Sequence, residues 1–310
     1  MFVERILVTG GAGFIGSHLV EALLGKGYKV RVLDNLSTGK VANLPMDNAN
    51  LNLVIGDAAD AVVVEQAMRD CSAVVHLAAV ASVQASVDDP VATHQSNFVS
   101  TLNVCESMSK AGIKRVVYAS SAAIYGNNGE GTAIHEDTPK SPLTPYAADK
   151  LAGEYYLDFY RREHGLEPMI FRFFNIFGPR QDPSSPYSGV ISIFTKLAMA
   201  EQSVAIFGDG GQTRDFVYVQ DLVSILVQAL EVNEPKPGAV NVGLSRSTSL
   251  NDLIAELGTV VGTPLKVIHH APRQGDIRHS RANNARLLER FKLPEPTTIG
   301  KGLAQLIRSL

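Results

Sequence analysis

Through the first half of the chain, short apolar runs rich in β-branched residues alternate with longer stretches whose apolar positions recur at helical spacing. Residues 5–9, 29–33, 51–55, 73–77 and 115–119 read as strands, nearly continuous in apolar character, as a sheet buried on both faces requires. Residues 14–26, 61–69 and 91–111 read as helices. This alternation predicts right-handed crossovers and an α/β fold with a doubly wound parallel sheet of the Rossmann type. Further on, 146–164 and then 222–230 and 250–261 read as helices, and 168–173, 204–207 and 265–268 as strands. A stretch rich in Pro, Gly and Ser at 178–189 marks a boundary. The expected organisation is a larger domain over 1–175, with later segments returning to it, and a smaller α/β domain over 176–310.

Composition narrows the classes. With 45% hydrophobic and 19% charged residues among 310, there is material for a core and little for long disorder. A formal charge of −3 leaves no electrostatic footprint for nucleic acid or an anionic membrane. Cys71 and Cys105 make neither a disulfide scaffold nor a zinc pattern, and His269 and His270 lack an acidic partner at metal spacing, so no metal is expected. The start of the chain carries no basic leader, and its longest uncharged run, 71–87, is too short and polar to span a bilayer. A cytoplasmic protein is the expectation.

Chemistry enters at the end of the first strand. Gly10-Gly11-Ala12-Gly13-Phe14-Ile15-Gly16 is a glycine-rich turn opening a helix, where a tight turn, close backbone approach and free N–H groups suit a pyrophosphate. Asp34 closes the second strand, near the distance at which an acid meets the adenosine ribose hydroxyls. A carboxylate there repels a 2′-phosphate, which points to NAD. Asn35 adjoins it, and Asp57-Ala58 ends the third strand, where Asp57 can reach the adenine edge. Tyr146 and Lys150 share one helical face, and an ammonium beside a phenol favours the phenolate. Ser121 ends the fifth strand, at the carboxyl edge where such sheets bind ligands.

Together with His76-Leu77-Ala78-Ala79, Arg172-Phe173-Phe174-Asn175 and Gln212-Thr213-Arg214-Asp215, these residues resemble the extended short-chain dehydrogenase/reductase family, and within it the nucleotide-sugar 4-epimerases. The resemblance implies that Tyr146 is the acid/base, that Lys150 holds the nicotinamide ribose and lowers the tyrosine pKa, and that Ser121 bonds the reacting oxygen. It implies cofactor contacts at Gly10, Gly13, Phe14, Ile15, Gly16, Asp34, Asn35, Asp57, Ala58, Leu77, Ala78 and Ala79. For a UDP-sugar it implies Asn175, Arg214 and Arg273 at the diphosphate, Phe207 near uracil, and Tyr187 and Val190 in a bordering loop. It further implies Ser280 at the sugar near C2, where a small residue admits an acetamido group. A homodimer through a helical face also follows from the resemblance.

Two departures sharpen it. Family dehydratases and decarboxylases carry an acid just after the catalytic hydroxyl, whereas Ala122 and Ala123 stand here and cannot transfer protons. Ala81 occupies the position where UDP-galactose epimerases carry a phosphate-binding lysine. The reaction the resemblance implies is C4 epimerisation of UDP-N-acetylglucosamine and UDP-N-acetylgalactosamine, and of UDP-glucose and UDP-galactose as well, through a 4-keto sugar with bound NAD. A net nucleotide-sugar oxidoreductase and a non-catalytic NAD sensor are the rival readings, His76 being structural or cofactor-adjacent in each.

Overall fold

A computed structural model describes residues 4–128, 131–182, 189–272, 278–293 and 295–310. The chain divides into two compact units: residues 1–124, 142–172 and 223–239 form the first, and 125–141, 173–222 and 240–310 the second. Residues 223–239 return to the first unit as a later segment, while 125–141 and 173–175, expected in the first domain, belong to the second unit.

The first unit holds strands β1 (Arg5–Thr9), β2 (Lys29–Asp34), β3 (Leu51–Ile55), β4 (Ala73–His76), β5 (Arg115–Ser121) and β6 (Glu167–Phe173). Its helices are α1 (Phe14–Gly25), α2 (Ala61–Met68), α3 (Val83–Asp88), α4 (Pro90–His94), α5 (Ser100–Ala111) and α6 (Pro145–His164). Within this unit the sheet runs β6-β5-β4-β1-β2-β3. Strand β1 pairs in parallel with both β2 and β4, so Thr9 stands level with Leu33 on one side and His76 on the other. The strand order reverses at β1, and the crevice outside the carboxyl ends at such a switch point is where α/β folds take ligands. Leu7, Leu33, Val74, Val116 and Tyr118 of the sheet pack on Val64, Met68, Val104, Met108 and Leu157 of the helices, all buried.

The run read as one helix over 91–111 is α4 and α5 joined by a π-helical turn, Gln95–Val99. The widened turn carries Asn97, whose amide holds both backbone groups of Val80. Val80 N–H donates to Oδ1 at 2.7 Å and Nδ2 donates to the Val80 carbonyl at 3.1 Å. Such insertions concentrate at functional sites, and this one fixes the segment after β4. Helix α6 begins on Thr144, whose hydroxyl accepts from Ala147 N–H, with Pro145 at the first helical position, and stops at Gly165.

The second unit contains β7 (Asn175–Phe177), α7 (Val190–Met199), β8 (Val204–Phe207), β9 (Thr213–Arg214), β10 (Phe216–Tyr218), the first residues of α8 (Val219–Glu231), which from Val223 onward belongs to the first unit, and β11 (Val240–Val242). It continues with β12 (Thr248–Ser249), α9 (Leu250–Val261), β13 (Val267–His270), α10 (Ala285–Arg290) and α11 (Ile299–Arg308). The strand read at 265–268 lies two residues later, because the parallel pairing with β8 sets Val267 against Val204 and His270 against Phe207. Val190, read as a loop residue, is the first residue of α7. Buried Asp215 laces the unit together, accepting from the N–H groups of Leu244 (2.9 Å), Ser245 (3.0 Å) and Ala282 (3.0 Å).

Candidate active site

The glycine turn is shaped by two close approaches. Gly10 has φ +69°, and a side chain there would meet the Ala78 backbone nitrogen at 2.8 Å, so the turn lies hard against the end of β4. A methyl on Gly16 would run into the Gly10 carbonyl oxygen and stand 2.7 Å from Gly11 Cα. Only glycine lets α1 start this close to the loop. Gly13 caps α1 with no side-chain acceptor, and the first turn, which includes Phe14, Ile15 and Gly16, carries no acidic residue. The N-terminal N–H groups and the positive end of the helix are thus available to an anion. This cradle fits a dinucleotide pyrophosphate.

Asp34 is buried at the end of β2; its Oδ2 accepts from Ala12 N–H and its Oδ1 from Leu36 N–H, both at 2.9 Å. Those two bonds lock its rotamer and leave further lone pairs for a diol. Asp57 is exposed and already engaged: Oδ1 takes Ala59 N–H at 2.8 Å and Oδ2 takes Asn35 Nδ2 at 3.1 Å. Ala58 is buried in the core behind it, and Leu77, Ala78 and Ala79 line the start of the half-buried segment after β4.

His76 is structural. Its Nδ1 lies 2.7 Å from Thr9 Oγ1 and its Nε2 3.1 Å from Thr101 Oγ1, with its ring stacked on Tyr118. Burial first, and then the Lys150 charge, push its pKa down to about 3, so the imidazole is neutral at physiological pH.

Ser121 ends β5, and Tyr146 and Lys150 lie about one turn apart on α6. The Ser121 side chain lies close enough to the Tyr146 phenol to lower its pKa, and Ser121 Oγ accepts from Ala123 N–H at 3.2 Å. Lys150 is buried, with Nζ 5.1 Å from the centre of the Tyr118 ring. The electrostatics differ from expectation. Burial pushes the half-buried Tyr146 phenol above its ordinary pKa, and the nearby Ser121 side chain offsets this only in part. Burial also pulls Lys150 down to about 8, against the raising effect of Asp149. The lysine stays mostly protonated at neutral pH, yet the protein chain by itself does not produce a low-pKa tyrosine.

In the second unit, half-buried Asn175 opens β7, its N–H donating to the Asp215 carbonyl at 3.0 Å. Arg214 is half-buried on β9 and donates to the Thr213 carbonyl at 3.0 Å. Ser280 N–H donates to that same carbonyl at 3.2 Å, which places Ser280, also half-buried, beside Arg214. Phe207 closes β8 with its ring stacked on His270, 5.4 Å between centres. Tyr187 and Arg273 lie outside the described residues.

Several residues of this neighbourhood escaped the sequence reading. Thr9 joins the β1 end to His76 and to the Ala78 N–H, Asn97 holds Val80, and His270 backs Phe207. A buried cluster of Ser120, Glu154 and Arg172 stands behind Ser121.

A Rossmann sheet with a phosphate-fitting glycine turn, a ribose-fitting acid and a Ser–Tyr–Lys set defines a nicotinamide-dinucleotide enzyme of short-chain dehydrogenase type. The chain belongs to the NAD-dependent epimerase/dehydratase family, whose model matches residues 6–243, and its cofactor is NAD. It is 41% identical over 274 residues to the putative UDP-glucose 4-epimerase of Methanocaldococcus jannaschii, covering 88% of this chain and 87% of that one. Among solved structures it resembles the UDP-N-acetylglucosamine 4-epimerase of Methanobrevibacter ruminantium in complex with UDP-N-acetylmuramic acid, at TM-score 0.94 and 36% identity over 100% of this chain and 98% of that one. It also resembles the Thermus thermophilus UDP-glucose 4-epimerase in complex with NAD, at TM-score 0.90 and 37% identity over 98% of each. Among the described residues, no helix is long and apolar enough to cross a membrane.

Proposed function

We propose that this NAD-dependent UDP-sugar 4-epimerase interconverts UDP-N-acetylglucosamine and UDP-N-acetylgalactosamine, and UDP-glucose and UDP-galactose as well, in a cytoplasm that keeps Cys71 and Cys105 free. Bound NAD supplies reversible acceptance of the sugar C4 hydride. Tyr146 takes the O4 proton and returns it, Ser121 holds O4, and Lys150 holds the nicotinamide ribose while its charge favours the phenolate. The glycine turn and the α1 N-terminus hold the pyrophosphate, and Asp34 holds the adenosine ribose, with Asn35, Asp57 and Ala58 at the adenine end and Leu77–Ala79 along the cofactor. Arg214, Arg273 and Asn175 hold the substrate diphosphate, and Phe207, Tyr187 and Val190 border the base. Ala122 and Ala123 beside Ser121 support epimerisation over dehydration or decarboxylation, since neither can move a proton.

The observation that carries the acetylated substrate is Ser280, a small, half-buried residue tied by its backbone to the strand that bears Arg214. An aromatic ring at that position and an acetamido group cannot share one space. Ser280→Tyr is expected to lower kcat/KM for UDP-N-acetylglucosamine by about 10–100-fold, from an overpacking cost of roughly 1–3 kcal/mol, while sparing UDP-glucose. Unchanged acetylated activity in the tyrosine variant would remove Ser280 as the gate.

We further propose that the partner of this chain is a second copy. Val83, Val87 and Val91 on α3 and α4, and Tyr155, Tyr156 and Phe159 on α6, are all exposed, an apolar patch of the kind that self-complementary interfaces cover. Light scattering is expected to give twice the chain mass, and Tyr155→Glu with Phe159→Glu a single chain; a monomeric parent refutes the assignment.

A further inference from the structure

Lys150 and Glu154 are four apart on α6, and residues at that spacing on one helix face are the neighbours that form ion pairs. A buried carboxylate one turn beyond a buried ammonium is therefore its natural partner. Here Glu154 is taken by others. Arg172 of β6 donates from Nε to Glu154 Oε1 at 2.9 Å and from a terminal nitrogen to Oε2 at 2.7 Å, a bidentate pair. Ser120 Oγ donates to Oε1 at 2.5 Å. All three residues are buried. Lys150 meanwhile lies over the Tyr118 ring.

The cluster sits directly behind the candidate site. Ser120 precedes Ser121 on β5, and Glu154 is about two turns along α6 from Tyr146. A buried ion pair adds little net stability over apolar residues of similar volume, so stability alone does not account for it. We propose that Arg172 is a positioning residue: by occupying both oxygens of Glu154 it keeps that carboxylate from capturing Lys150 and leaves the ammonium to act on Tyr146. This inference rests on the Lys150 role proposed above. The touching residues all belong to one unit, and Arg172 meets neither substrate nor cofactor in this account.

The test is a double-mutant cycle on the full-length protein, followed by kcat and KM for the UDP-sugar and by thermal melting. In Arg172→Gln, the unpaired Glu154 charge draws Lys150 away, and kcat is expected to fall about tenfold or more with KM within about twofold. In Glu154→Gln/Arg172→Gln, no carboxylate remains to capture Lys150, and kcat is expected to return to within about threefold of the parent. A purely structural pair predicts a loss confined to melting temperature and folded fraction, with kcat per folded molecule at the parent value; that result, or a double variant as slow as the single one, overturns the proposal. So does an Arg172→Gln variant at the parent rate. If Arg172→Gln does not fold, Arg172→Lys decides instead: it still meets the Glu154 charge and is expected to keep kcat within about threefold, and a tenfold loss there counts against the idea. Lys150→Met separates the two levels. Parent-like kcat in that variant removes the Lys150 role and this inference with it, whereas an inactive Lys150→Met beside a fully active Arg172→Gln removes only the inference.

Discussion

Tyr146→Phe is expected to lower kcat by about 10²–10⁴-fold, the range that one positioned proton-transfer group contributes, while melting temperature and retained NAD stay at parent values. The substitution deletes one oxygen and keeps the ring, and Ser121 still accepts from Ala123 N–H, so the surroundings have no reason to collapse. Activity within threefold of the parent would remove Tyr146 from the chemistry. The pH dependence carries the same logic. Burial holds the phenol above its ordinary pKa, so the phenolate depends on nearby positive charge. In the proposed site Lys150 is the residue assigned to supply that charge, and burial brings its pKa to about 8. The rate is accordingly expected to decline above about pH 8 as the ammonium is lost. A plateau extending to the ordinary lysine range would contradict this.

Gly16→Ala is expected to release the cofactor, weakening NAD binding by about 100-fold, equivalent to roughly 2.7 kcal/mol. The new methyl collides with the Gly10 carbonyl and the Gly11 Cα. Both belong to backbone that cannot swing aside, because Gly10 N–H is bonded to the Leu33 carbonyl at 2.8 Å and the turn abuts Ala78. Relief must come from lifting the α1 N-terminus off the loop, and that moves the N–H groups proposed to hold the pyrophosphate. Gly25→Ala is the control: nothing lies within 4 Å of its added methyl, and cofactor retention should match the parent. Isothermal titration of cofactor-stripped protein measures both, and equal affinities in the two variants would refute the role given to the turn.

What the sequence disclosed follows from how locally each feature is encoded. The glycine turn, Asp34 and the Tyr146–Lys150 pair lie in short contiguous strings where spacing alone sets geometry, and the strands of the first unit announce themselves by their apolar runs. Features that depend on distant partners were hidden. Glu154 meets Arg172 and Ser120 at separations of 18 and 34 residues, and no local pattern joins them. The π-helical turn at Gln95–Val99 was read as unbroken helix, since one extra residue per turn barely disturbs an apolar period. Val190 was read as loop because the Pro- and Gly-rich stretch before it masks where α7 begins. The direction of the Tyr146 shift was missed for another reason: an adjacent ammonium is visible in a motif, but the degree of burial that opposes it is not.

The proposed activity is redox-neutral epimerisation of an acetylated UDP-sugar by a chain that retains its NAD. The most direct measurement is to incubate the protein as purified, without added cofactor, with UDP-N-acetylglucosamine and follow the sugar by proton NMR. The account predicts that UDP-N-acetylgalactosamine appears and reaches a steady ratio, the same from either starting sugar. Unchanged substrate, or accumulation of an oxidised or dehydrated sugar, would contradict it.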